Sequence, residues 1–329
     1  MAVAVTTPEN IPNRLRSAAS YRRADRRFYR ATLVASLLVV LIFLGIAASL
    51  FNGAWLSIIT FGWSFFTSES WNPVTEKFGA GAAIYGTIIT AALAMMLAVP
   101  VGIGIAIFLT EICPRSLRRA VGTSIELLAG IPSILYGIWG LFVFAPIFQS
   151  TVQPWLIDVF GNVPVLQDIF AGPPYGIGIF TASLILSIMI LPFITAITRD
   201  VFETVPAQLK ESAYSLGCTT WEVMWNVVLP YARSGVVGGA MLALGRALGE
   251  TMAVTFVIGN AHKIHESLFA PGTTISAAIA NEFTEADGPV YLSALVETGL
   301  ILFGITLIVL SLAQFMLYTL ERRAGGSHT

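Results

Sequence analysis

Residues 211–230 read ESAYSLGCTTWEVMWNVVLP and lie between two long apolar runs, near 176–198 and 235–259. The stretch from about Pro206 to Leu216 predicts a short helix ended by Gly217, and a second helix is expected from the Thr219/Thr220 cap region to a stop at Pro230. Trp221, Val223, Met224, Trp225 and Val228 give the second helix a broad apolar side, whereas Lys210 and Glu211 leave the first partly charged. An apolar helix pair between spans stays exposed unless another protein covers it. A partner subunit is one reading, and an interfacial amphipathic helix lying on the bilayer is the other.

Outward from this loop the chain is built for lipid. Six apolar runs, near 31–52, 81–110, 121–148, 176–198, 235–259 and 293–319, are each long enough to cross about 30 Å of hydrocarbon. Over 329 residues only 11% are charged and 56% are hydrophobic, against roughly 25% charge in a soluble domain. The fold class is therefore an all-α membrane protein with six transmembrane helices. Pro100 in the second run and Gly130 with Pro132 in the third are expected to kink or break their helices. Residues 1–30 form an arginine-rich arm, and the 31–52 run after it is too long for a signal peptide, so it reads as a retained first anchor. Cys113 and Cys218 fit neither a disulfide framework nor a zinc pattern.

Of the 18 Lys and Arg, fifteen fall in the N-terminal arm, the connections after spans two and four, and the C-terminal tail. Lys77 and Lys263 lie in the other loops, and Arg246 lies inside a run. The positive-inside rule then places both termini in the cytoplasm. The opposite loops carry Glu69, Glu76, Asp158, Asp168, Glu266, Glu282, Glu285 and Asp287, and read as solvated loops or as a docking surface for an external partner. His262 and His265 are a weak candidate pair for a metal. The near-neutral charge gives no reason to invoke nucleic acid.

Within the fifth run, LALGRALGETMAV (242–254) holds Arg246 and Glu250 near its centre. Four residues apart on one helix they would share a face about 6 Å apart and could pair. An isolated charge there costs on the order of 2.5–3.5 kcal/mol, so each needs a partner or water. One reading is a self-neutralising pair that only packs the helix, helped by Gly235, Gly239, Gly245 and Gly249 at small-residue spacing. The other is a polar task, since a guanidinium fork fits an oxyanion bidentately and stays charged.

The spacing Glu211-Ser212-Ala213, three residues, Gly217, nine residues, Val227, one residue, Leu229-Pro230 resembles the E-A-A-x3-G-x9-I-x-L-P loop of ABC importer permeases. Ser212 and Val227 depart from it while nearly keeping size and polarity. LGRALGETMAVTFVIGN (244–260) and ELLAGIPSILYGIWGLFVF (126–144) further resemble the phosphate-specific permeases of the PstC type, through most of residues 75–320. The resemblance implies the type I ABC importer permease fold, a permease domain over 75–320 and a coupling loop at 206–230. It implies that Glu211, Ser212, Ala213, Gly217, Leu229 and Pro230 meet a cytoplasmic ATPase, and that Arg246, Glu250 and Thr251 line the substrate path.

The implied partners are a homologous permease of the PstA type, two ATPase subunits of the PstB type, an external phosphate-binding protein of the PstS type and membrane lipid, in the cytoplasmic membrane of a bacterium. No G-x-x-x-x-G-K-[ST] loop occurs, so the chain is not an ATPase; it carries no cofactor, and ATP with Mg belongs to the partner. Permeases for sulfate or molybdate share related R-A-L-G-E strings and remain an alternative. A proton-coupled secondary transporter would also use midplane charges but leaves the 211–230 spacing unexplained. An intramembrane hydrolase lacks H-E-x-x-H, and His262, His265 and His328 all lie outside the spans.

Overall fold

The computed structural model describes residues 11–161, 163–164 and 166–325, with the backbone alone at 11–24, 115, 320–321 and 323–325. The first ten residues of the arginine-rich arm lie outside the described residues. Among the described residues, six helices are long and apolar enough to cross a membrane: Asp25–Phe61, Gly81–Ile112, Ser133–Phe160, Ile179–Glu203, Thr220–Leu248 and Pro289–Thr319. They are called spans one to six below.

The chain divides into two units, Met1–Gly53 and Ala54–Thr329. The described residues of the first belong to the Ile11–Phe61 helix, and its apolar side chains from Phe28 to Phe51 are almost all exposed. Hydrocarbon solvates such a surface, and the helix satisfies its own backbone. The second unit is held by span four. Ala91, Ala94 and Ala98 of span two and Ala243 and Ala247 of span five meet Ile185, Leu186, Ile190 and Ile194 of span four. Small residues let these backbones approach where lipid removes the usual drive for helices to associate. Gly235 and Gly239 lie against Val201 and Ile197 of span four, and Gly245 against Leu310 of span six.

Three boundaries depart from the sequence reading. Span three begins at Ser133 rather than near 121, because Arg115–Ala129 is a separate helix. Arg118 and Glu126 of that helix are tied to polar partners, Arg118 donating to the Thr110 carbonyl (2.5 Å) and Glu126 pairing with Arg199 (2.7 Å), which keeps it out of hydrocarbon. The predicted break at Gly130–Pro132 is present between the two helices. At Pro100 the helix Gly81–Ile107 is not broken.

Pro230 is likewise no stop. A π-turn at Met224–Val228 shifts the ladder so that the Leu229 N–H bonds Met224 O, and span five continues through Pro230 to Leu248. The wider turn relieves the clash a proline ring makes with the turn before it. The expected 235–259 run is in turn two helices, the first ending at Leu248 and the second spanning Met252–Ile258.

Candidate functional site

The 207–229 loop closes its hydrogen bonds locally. The helix Ala207–Ser215 ends in Gly217 at φ +86°, where the Gly217 N–H reaches Tyr214 O (2.9 Å) and the Cys218 N–H reaches Ala213 O (3.2 Å). A left-handed C-terminal residue is the usual helix ending, and glycine alone adopts it without strain. No atom lies within 4 Å of where a Gly217 Cβ would stand, so conformation, not space, selects it. Thr219 then opens the next helix in a capping box: Thr219 N–H and Oγ1–H both donate to Glu222 Oε2 (2.7 and 2.8 Å), and the Glu222 N–H donates to Thr219 Oγ1 (3.4 Å).

The apolar side read from sequence splits in two. Val223, Met224 and Val228 are buried with Ala213, Ala106 and Phe202 under the loop. Leu216 (86% exposed), Trp221 (65%) and Trp225 (57%) face outward, the two indoles stacked with ring centres 5.6 Å apart. Of the remaining loop positions, Glu211 and Ser212 are exposed, Leu229 is half-buried and Pro230 is exposed. Lys210 anchors the loop to span two through Glu111 (2.6 Å), a pair about 18% and 12% exposed. The sequence reading noted Lys210 only as a charge; an acid at the end of an apolar run was the available signal.

Inside the membrane the second break looks different. Helix 229–248 ends at Gly249, and Thr251 precedes Met252–Ile258 without a side-chain cap. Arg246 and Glu250 therefore do not share a helical face, and among the described residues neither takes part in an ion pair. This corrects the expected pair. Glu250 Oε1 instead accepts from the Ala253 N–H (3.3 Å), and the Thr251 hydroxyl donates to Gly249 O (3.3 Å). Arg246 lines a small cavity of about 50 Å³ with Leu128, Ile131, Tyr136, Met189 and Phe193. The Tyr136 hydroxyl donates to Leu128 O (2.9 Å), closing part of the backbone freed by the Gly130–Pro132 break. Two interrupted helices thus meet where Arg246 stands.

The short helix 252–258 is seated by Gly137, whose Cβ would stand 2.8 Å from Phe256, 3.0 Å from Met252 O and 3.1 Å from Ala253 Cα. At the opposite, acidic end, His262 stacks on Trp71 (5.0 Å) and lies 3.8 Å from Glu282, which also accepts a hydrogen bond from the Tyr291 hydroxyl. Burial holds the His262 imidazole below its ordinary range, against the pull of Glu282. The loops at that end are thus partly packed; Phe170 and Phe269 join Phe148 and Phe180 in an aromatic cluster. Among the described residues no group of three His, Cys, Asp or Glu is placed to hold a metal.

An all-helical membrane domain with interrupted spans and an exposed aromatic loop is the architecture of a transporter permease. The chain belongs to the binding-protein-dependent transport system inner membrane components, whose family profile matches residues 98–324. Its relatives are more specific. The phosphate transport system permease protein PstC of Mesorhizobium japonicum is 65% identical over 301 residues, 92% of each chain. That of Pasteurella multocida is 58% identical, over 91% of this chain and 93% of the relative. A probable phosphate transport system permease protein PstC of Methanocaldococcus jannaschii is 37% identical over 88% of this chain and 91% of the relative. The resemblance to PstC-type permeases read from 126–144 and 244–260 is borne out.

In fold, the chain matches a bacterial alginate ABC transporter solved with its alginate-bound periplasmic protein, with a TM-score of 0.59, 20% identity and 89% and 94% of the two chains covered. A second alginate importer structure gives 0.55 at 18% identity, covering 90% and 99%. The type I ABC permease fold expected from the sequence is the fold found.

Proposed function

We propose that this chain is the permease subunit of an ATP-driven importer of inorganic phosphate and that Arg246 lies on the path of the anion. The observation that carries this is a guanidinium in the last turn of an interrupted membrane helix, lining a cavity and joined to no carboxylate among the described residues. The fork of donors suits a tetrahedral oxyanion, and in a low-dielectric path its charge attracts one strongly. Thr251 and Glu250 flank the break one turn on. A carboxylate there could accept a hydrogen bond from a phosphate that still carries a proton, which fully ionised sulfate cannot offer.

The charge distribution supports cytoplasmic termini, with the 207–229 loop on the same side. Its outward Leu216, Trp221 and Trp225 form an apolar patch suited to a protein cover. We assign that cover to one of two ATPase subunits, which bind ATP and Mg, with Glu211, Ser212, Ala213, Gly217, Leu229 and Pro230 shaping the contact within a permease domain over 75–320. A PstA-type permease would complete the path, and a phosphate-binding protein would dock on the acidic end. Neither a sulfate or molybdate permease nor a proton-coupled carrier has an observation in its favour.

The test is labelled phosphate uptake in cells lacking other phosphate carriers, with the chain expressed beside its transport partners. Accumulation should resist excess sulfate and molybdate. Uptake of labelled sulfate that unlabelled phosphate fails to compete would overturn the assignment.

A further inference from the structure

Glu297 sits eight residues into the helix Pro289–Gly325, about 12 Å from its start. Its side chain is buried (3% exposed). It nevertheless lines a cleft of about 500 Å³ bounded by Ile58 and Trp63 on one side and by Ile301, Gly304 and Ile308 on the other. That volume is in the range of sites that take small organic molecules, roughly 300–1,000 Å³. The carboxyl lies beside the Ser57 hydroxyl, which acts on it as a hydrogen-bonding group, while Glu297 Oε2 makes no well-formed hydrogen bond. A carboxyl inside a span calls for a donor or water.

Gly304 is the second unexplained group. Its backbone is helical, and nothing lies within 4 Å of where its Cβ would stand. Neither conformation nor close packing within this chain requires a glycine there, although glycine weakens a helix relative to alanine. Its missing side chain instead deepens the furrow.

The groups along this cleft follow the order of a single leaflet. Trp63, 86% exposed, stands at the lip, as indoles do at a membrane interface. Glu297 comes next, followed by about 16 Å of apolar furrow to Ile308. The furrow ends near the middle of the Pro289–Thr319 span. A transmembrane helix from a partner would need a groove along the whole span. An amphiphile with a donor at one end and a chain below it needs only this half.

We propose that the cleft binds one phospholipid of the leaflet nearest the acidic end, its acyl chain lying past Gly304 and a headgroup donor, ammonium or glycerol hydroxyl, meeting Glu297. The probe is phosphatidylethanolamine carrying a diazirine in its acyl chain, present as a tracer in nanodiscs of phosphatidylethanolamine and phosphatidylglycerol that hold the intact complex. After irradiation, adducts mapped by peptide mass spectrometry should concentrate on residues 297–308 relative to 311–319 of the same helix. Gly304→Leu should lower them about tenfold, the consequence of ordinary overpacking, while labelling at the exposed Leu37 and Leu41 stays unchanged. Ile308→Trp, at a position 58% exposed, blocks the same furrow from outside and keeps the test open if the first variant fails to assemble. Glu297→Gln should remove any preference of the tracer over a phosphatidylcholine analogue of equal chain length. Even labelling along the helix, no change in either blocking variant, or a second polypeptide cross-linked at 300–308 would overturn the proposal.

Discussion

Span five is bracketed by two interruptions, one at 216–219 outside the apolar run and one at 249–251 within it, and they are built on opposite principles. At the outer one every local group is matched: glycine at positive φ, two backbone bonds back into the helix before it, and a reciprocal cap opening the helix after it. At the inner one the Thr251 side chain caps no N–H of the helix that follows, and Arg246 stands beside a cavity without an ion pair among the described residues. On the proposed function, the self-satisfied turn is the one suited to transmit a push, and the uncommitted cation is the one available to a ligand.

Variants at the two breaks should separate these roles. The largest effect is expected at Gly137, which admits the inner half-helix. Gly137→Leu would drive a side chain into Phe256, Met252 O and Ala253, at a cost of about 1–3 kcal/mol or more. Little assembled complex should then be recovered from membranes. Wild-type amounts of complex would show that the close approach is not what sets the inner break.

Gly217→Leu comes next. A side chain at φ +86° adds about 1–2 kcal/mol of strain with no clash, so the chain should insert and assemble while uptake per complex falls sharply. Unchanged uptake and unchanged ATPase association would contradict the coupling role of the outer break. The smallest effects distinguish the caps. Thr219→Ala should cost about 1 kcal/mol, the usual loss of a helix cap, whereas Glu250→Gln should stay within about 0.5 kcal/mol, because the amide oxygen can still accept from the Ala253 N–H. Thermal unfolding of the purified complex ranks the two, and the reverse order would undo the comparison.

What the sequence made legible follows the same division. Gly217, the Thr219/Thr220 cap and the Gly130–Pro132 break are local devices, written in residues a few positions apart, and all three are present. The inner break is not local. GRALGETMAV contains no proline and reads as one helix; its interruption accompanies packing of residues 252–258 on Gly137, more than 100 positions away. Pro230 misled for the related reason that a π-turn ahead of it absorbs the missing bond. The polar burden of Arg246 was visible as a charge in an apolar run, but its freedom from Glu250 was not. Glu297 carried the same signal in span six, an acid among apolar residues, and went unread.

The central claim is that Arg246 is kept uncommitted for the transported anion. Arg246→Gln, which keeps some hydrogen bonding and loses the charge, tests it most directly. Labelled phosphate uptake is measured in cells without other phosphate carriers and normalised to assembled complex detected in the membrane. The account predicts assembly at the parent level with uptake abolished. Normal uptake by the assembled variant would contradict it and return Arg246 to a packing role.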